Sequence, residues 1–343
     1  MRMRLVEPSF KVPPLEELAR DSSGAPIFTH VSHGLQAQNQ QTSWELFLRT
    51  GLQFPKGWIL EAGCNDFLYG AQAPHMVWPY FGTRPILAVD LNKNKTKKAR
   101  YVASVVTRDY EERTGLEVHM VVEDSQDLAE LNTEHMIVDG EKVRHFPPIA
   151  KVNCTSVIHW IKETERKYET FNRFYDVLAA DGILNLCISE QGTAQAFLDA
   201  RKAVITDREV YDRIHNQGGY KRELWEDDPV GSLPRNIINN MIRESGFEII
   251  FSAGLDEDWE YDHPNGYAKS VEHYGYDKFL RSVSHLGHDQ KRGIWEDIVA
   301  RHERIARARG WRDSQKFIYT QSYIYVVARK VAEPIRLNVD VYY

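Results

Sequence analysis

The stretch that decides the fold is "GWILEAGCNDFLYG", residues 57–70. An apolar run bounded by glycines reads as a buried strand, and Gly63 then marks a sharp turn. Glycine lets the backbone reach φ > 0, so N–H groups and a following helix N-terminus can approach a ligand closely. Asn65 and Phe67 stand at the two alternate positions after Gly63. Asparagine tolerates φ > 0, whereas phenylalanine adds bulk.

Outward from this strand, apolar runs alternate with helical periodicity. PILAVDL (85–91), LEVHMVVED (116–124), the start of AKVNCTSVIHWI (150–161) and ILNLCIS (183–189) read as further strands. FEIIFSA (247–253) and FIYTQSYIYVVARK (317–330) complete a set of seven. Nearly continuous apolar strands mark a parallel sheet covered on both faces. Helical spacing of Phe171, Phe174, Tyr175 and Leu178 predicts a helix over 162–178, closed by the AADG turn. A second helix opens at Ser232/Pro234 and stops at Gly246. The expected fold is α/β: a Rossmann-like, seven-stranded, doubly wound sheet with helical insertions forming a lid.

The predicted organisation is an N-terminal arm and cap (1–41), a nucleoside-binding core (42–192), a lid insertion (193–233) and a return to the core (234–253). A helical insertion over the substrate site (254–315), the last core strand (316–330) and a C-terminal tail (331–343) follow. In the second insertion, Ile294, Ile298 and Ile305 lie near one helical face.

Composition bounds the function. The chain has 343 residues, 42% hydrophobic and 27% charged, with net charge −6. That is ordinary for a globular protein and argues against a dedicated nucleic-acid binder. Cys64, Cys154 and Cys187 sit in apolar stretches without C-x-x-C spacing. They read as reduced thiols of a cytoplasmic protein, with no disulfide frame and no metal site. MRMRLVEPSF carries no apolar signal region, and no window has the length of a membrane span.

Three stretches place polar chemistry at successive strand ends: Glu61 with Gly63 and Asn65, then Asp90 with Leu91, then Asp124 with Ser125. An acid after the second strand suits ribose hydroxyls. Asp90 also suits a helix N-cap, and Asp124–Ser125 a common cap. Their order resembles the class I S-adenosylmethionine-dependent methyltransferases. That family usually has E/D-x-G-x-G-x-G, and the second and third glycines are here Asn65 and Phe67. The resemblance implies S-adenosylmethionine as cofactor, S-adenosylhomocysteine as product, and cofactor contacts from these residues with Asn153 and Thr155. CTSVIHWI (154–161) is similar to the trans-aconitate and juvenile hormone acid methyltransferase branch. There His159 and Trp160 would be the catalytic pair holding a substrate carboxylate. Gln38 and Gln41 of the glutamine-rich LQAQNQQ segment, with Trp225 and Tyr267, would complete the substrate site.

A carboxylate acceptor, with a pKa of about 4, arrives deprotonated and needs donors rather than a base. A phenol or amine would need a proton removed, making His159 a candidate base. Three readings therefore stand open: carboxylate methylation, hydroxyl or amine methylation, and a methyltransferase-like fold whose divergent loop serves a non-methylating enzyme or a binding partner. Expected partners are a small-molecule substrate and optionally a second copy of the chain, with no nucleic acid and no membrane. NKNKTKKAR (92–100) reads as a solvated helix face, and the acidic DEDWEYD run (256–262) as loop solvation.

Overall fold

A chain whose strands are apolar on both sides must cover two sheet faces, and the architecture solves that requirement unequally. The structure, a computed structural model, describes residues 39, 42, 43, 45–53, 55–63, 86–89, 118–120, 136–138, 141–143, 148–161, 163–190, 200, 203, 204, 207, 232–265 and 287–331. The strands are β1 (Trp58–Ala62), β2 (Ile86–Val89), β3 (Val118–Met120), β4 (Met136–Val138) and β5 (Glu141–Val143). They continue as β6 (Ile149–Thr155), β7 (Leu178–Ser189), β8 (Phe247–Tyr261) and β9 (Phe317–Lys330). The helices are α1 (Thr164–Val177), α2 (Arg235–Glu244) and α3 (His288–Ala308). Helical residues also occur among positions 39–49.

A mixed seven-stranded sheet has the order β3-β2-β1-β6-β7-β9-β8. The first five strands in this order are parallel to their neighbours, while β9 is antiparallel to both β7 and β8. The chain steps outward from β1 to β3, then returns to the other side of β1 as β6. That reversal is a topological switch point, and ligands of open α/β sheets bind outside the strand carboxyl ends at such a place.

The register separates two faces. Leu60, Val152, Leu184, Leu186 and Val326 point to an apolar face, buried against Phe171 and Phe174 of α1 and Ile238 and Ile242 of α2. The opposite face carries Glu61, Lys151, Asn153, Thr155, Asn185 and Cys187, all buried. Phe47 covers it, with Lys151 Nζ 3.6 Å from its ring centroid.

Several boundaries differ from the sequence expectation. β8 extends to Tyr261 and pairs with β9 along its length, so the insertion begins after 261 rather than at 254. Of the acids that suggested a loop, Asp256 and Asp258 lie on the solvated face of this ribbon. Asp256 accepts from Ser322 Oγ and Asp258 from Thr320 Oγ1, both at 2.6 Å, cross-strand pairs that favour the strand. β7 starts at Leu178, with a register irregularity before Ile183 and Asp181 at φ 59° where a simple turn was expected. β4 and β5 form a separate antiparallel hairpin. Three-residue strands are too short for periodicity to register, although Asp139-Gly140 between them is a hairpin signal. In α3, Ile294, Ile298 and His302 form the buried stripe. Most of the expected 193–233 insertion lies outside the described residues.

Candidate functional site

The switch point is built by the turn after β1 and the exit from β6. Gly63 closes β1 at φ +81°, and its N–H donates to Val89 O at 2.7 Å. A Cβ there would stand 2.0 Å from Val157 Cγ2. Only glycine fits, because the β1 turn and the β6 exit touch. Ser156 between β6 and Val157 is itself at φ 59°, a conformation few non-glycine residues adopt. Its N–H donates to Cys187 O at 2.8 Å, which ties the exit to β7.

Beneath the turn lies a buried polar ladder across three parallel strands. Asn185 Nδ2 donates to Asn153 Oδ1 at 3.0 Å, and Asn153 Nδ2 donates to Glu61 Oε2 at 2.8 Å. Glu61 is only 2% exposed, so its carboxylate works inside the sheet. Burial drives the Lys151 ammonium pKa well below its usual value, against the opposing pull of Glu61. Burial, and then the Glu61 charge, push the Cys154 thiol upward. Thr155 Oγ1, Asn185 Oδ1 and Ser43 Oγ are buried and accept or donate no hydrogen bond among the described residues. Buried polar atoms are normally satisfied. Thr155 Oγ1 at the end of β6, without a partner among the described residues, has the polar capacity a nucleoside or amino-acid group uses, so this end of the sheet fits the cofactor that the sequence resemblance implies.

His159 sits in a single 3-10 turn, Ile158–Trp160, directly after the β6 exit. His159 is 5% exposed. Its Nδ1 accepts the backbone N–H of Ser189, the last residue of β7, at 3.2 Å. An acceptor at Nδ1 places the proton of the neutral ring on Nε2. His159 is thereby a donor with a fixed tautomer.

Gly63, Thr155 and His159 therefore share one end of the sheet, and Glu61 and Asn153 lie within it. Asn65, Asp90, Leu91, Asp124, Ser125, Gln38, Gln41, Trp225 and Tyr267 lie outside the described residues. The same holds for the Trp160 side chain. Sequence reading missed Lys151, Asn185 and Ser189. A polar residue recurring at every second position of an apolar strand was the available signal for the first two. Among the described residues no group of three or more His, Cys, Asp or Glu is placed to hold a metal. No described helix is long and apolar enough to cross a membrane.

No known family profile and no curated protein matches the chain. Solved structures do. The cyclopropane synthase MmaA2 from Mycobacterium tuberculosis is 13% identical over 92% of this chain and 93% of its own, with a TM-score of 0.45. A SAM-dependent methyltransferase from Methanosarcina mazei is 12% identical over 84% and 98%, with a TM-score of 0.42. A phosphoethanolamine N-methyltransferase from Haemonchus contortus, solved with S-adenosylhomocysteine, is 15% identical over 85% and 52%, with a TM-score of 0.40. At these identities and TM-scores the likeness carries no inference about activity.

Proposed function

We propose that this protein transfers a methyl group from S-adenosylmethionine to an oxygen of a small molecule, and that the oxygen belongs to a carboxylate. The observation that carries the choice of acceptor is the Ser189 N–H bond to His159 Nδ1. With Nδ1 accepting from Ser189, the neutral ring carries its proton on Nε2, a donor, and has no lone pair left with which to remove a proton. A carboxylate needs that donor and no base. The glycine turn at Gly63 and the Thr155 Oγ1 that has no partner among the described residues support cofactor binding there.

When bound, the cofactor supplies an electrophilic methyl group on a sulfonium. His159 Nε2–H holds one acceptor oxygen, and the other attacks in line. Trp160 adds an indole, which is a donor only. The bond formed is oxygen to methyl carbon, the bond broken is sulfur to methyl carbon, and no proton moves. Such positioning is worth roughly 7–11 kcal/mol.

The test is incubation of the purified protein with isotopically labelled methyl donor and panels of carboxylic acids, phenols and amines, read by mass spectrometry. Labelled methyl esters are expected. Product only from phenols or amines, with a rate governed by one ionisation near neutral pH, overturns the carboxylate reading. Calorimetry with S-adenosylmethionine and S-adenosylhomocysteine that shows no binding at millimolar concentration overturns methyl transfer altogether.

A further inference from the structure

The β8–β9 ribbon outruns the sheet. Ser189, the end of β7, faces Tyr323, so residues 317–322 of β9 and 256–261 of β8 project beyond the carboxyl ends of the parallel strands. On the ribbon's inner face stands Glu257, a carboxylate 8% exposed. Burying it is costly unless specific donors compensate. Tyr325 Oη donates to Glu257 Oε1 at 2.5 Å. Asn39 is 1% exposed and belongs to the N-terminal helical segment. The groups around it direct its amide nitrogen at the two Glu257 oxygens, 3.2 and 2.9 Å away, and at Tyr325 Oη, 3.1 Å away. Its amide oxygen then faces the Ser156 hydroxyl at 3.4 Å. Asn39 thus touches β8, β9 and the β6 exit at once. Leu46 packs beside Cys187, Tyr323 and Tyr325, and Phe47 covers Lys151. Positions 39, 43 and 47 are one helical face, with polar contacts at one end and apolar ones at the other.

We propose that Glu257, Tyr325 and Asn39 form a latch that fixes the N-terminal helical segment over the ends of β6 and β7. Glu257 and Tyr325 are accordingly positioning residues. Cutting the latch frees the segment while the sheet stays intact. Burial raises the pKa of Glu257, with the Tyr325 hydrogen bond opposing, which fits a carboxylate held by few donors. The latch stands on contacts alone. Its bearing on substrate, through Gln38 and Gln41 on either side of Asn39 in the chain, rests on the reading above.

The test is amide hydrogen exchange on the full chain, comparing wild type with Asn39→Leu, Tyr325→Phe and Asn39→Asp. A lost hydrogen bond to a charged group speeds exchange of residues 45–49 by about tenfold or more. Amides of β6 and α1 keep their rates. Asn39→Asp is nearly isosteric but sets a second carboxylate against Glu257, so it speeds exchange at least as much as Asn39→Leu. Unchanged rates at 45–49 in Asn39→Leu and Tyr325→Phe overturn the latch. So does a uniform acceleration across the chain, or an Asn39→Asp variant as slow as wild type, which would show packing alone. None of these readouts depends on methyl transfer.

Discussion

Gly63→Ala probes the contact on which the switch point depends. The new Cβ would lie 2.0 Å from Val157 Cγ2, 3.1 Å from Val157 Cβ and 3.2 Å from Cγ1. Carbons in contact sit about 3.5–4.0 Å apart, so one side must retreat by about 1.5 Å. Retreat is resisted on both sides, by the 2.7 Å bond from Gly63 N to Val89 O and the 2.8 Å bond from Ser156 N to Cys187 O. Overpacking of this kind costs about 1–3 kcal/mol. The φ of +81° adds about 1–2 kcal/mol for a residue with a Cβ. The expected loss is about 2–5 kcal/mol, read as a lower urea midpoint at unchanged slope. Val157→Ala removes the obstructing methyls and costs about 1.6 kcal/mol or more by itself. The double variant should then lose less than the sum of the two, by about 1–3 kcal/mol. Strict additivity, or a Gly63→Ala protein as stable as wild type, refutes the argument. A stable variant that fails only to bind S-adenosylhomocysteine would assign the glycine to ligand approach instead.

His302, buried in α3 with its ring 5.7 Å from Phe317, has its pKa lowered to about 4 by burial and then by Arg309. The unfolded chain takes up that proton near pH 6.5, so stability falls as pH drops from about 6.5 to about 4, by about 3 kcal/mol in all. A His302→Leu variant should lose this part of the pH slope in denaturant titrations, and an unchanged slope would refute the assignment. Asn153→Leu removes both the donor to Glu61 and the acceptor for Asn185, and should cost about 3 kcal/mol; a loss below about 1 kcal/mol would mean that the ladder contributes little. His159→Phe should lower kcat/KM for an accepted carboxylic acid by about 10- to 100-fold, with a flat profile above the acid's own pKa. A wild-type rate that rises with pH through one ionisation, lost on substitution, would show that His159 removes protons.

The core was legible because its signals are long and redundant. The apolar run over 183–189 carries its strand assignment regardless of neighbours, and Pro234 and Gly246 bracket α2 by backbone chemistry that tertiary contacts reinforce. The ribbon was not legible, because Asp256, Glu257 and Asp258 read as a solvated loop when counted as charges. Only the partner strand reveals the division: Asp256 and Asp258 meet hydroxyls on the outer face while Glu257 turns inward to Tyr325. In the N-terminal segment a different residue makes the visible contacts. Its glutamines drew attention by number, whereas the residue that binds the sheet is Asn39, set apart only by its spacing from Ser43 and Phe47.

The two sheet faces divide the requirements of the protein between them. Against α1 and α2 the contacts are apolar, so that face gains most from burial and tolerates little polarity. The other face accepts Glu61, Lys151, Asn153 and Asn185 within an otherwise buried sheet, an arrangement that costs stability unless each polar atom meets a partner. Among the described residues this face is covered by the short segment ending near residue 49, which holds Phe47 over Lys151 and Asn39 over the β6 exit. A sheet designed for stability alone would place a helix as apolar as α1 there. The polar layer is instead continuous with the Thr155–His159 exit, and its cover is attached through hydrogen bonds at Asn39 that a single substitution can cut. The apolar packing is concentrated on the first face, and the buried polar groups on the second run up to the switch point.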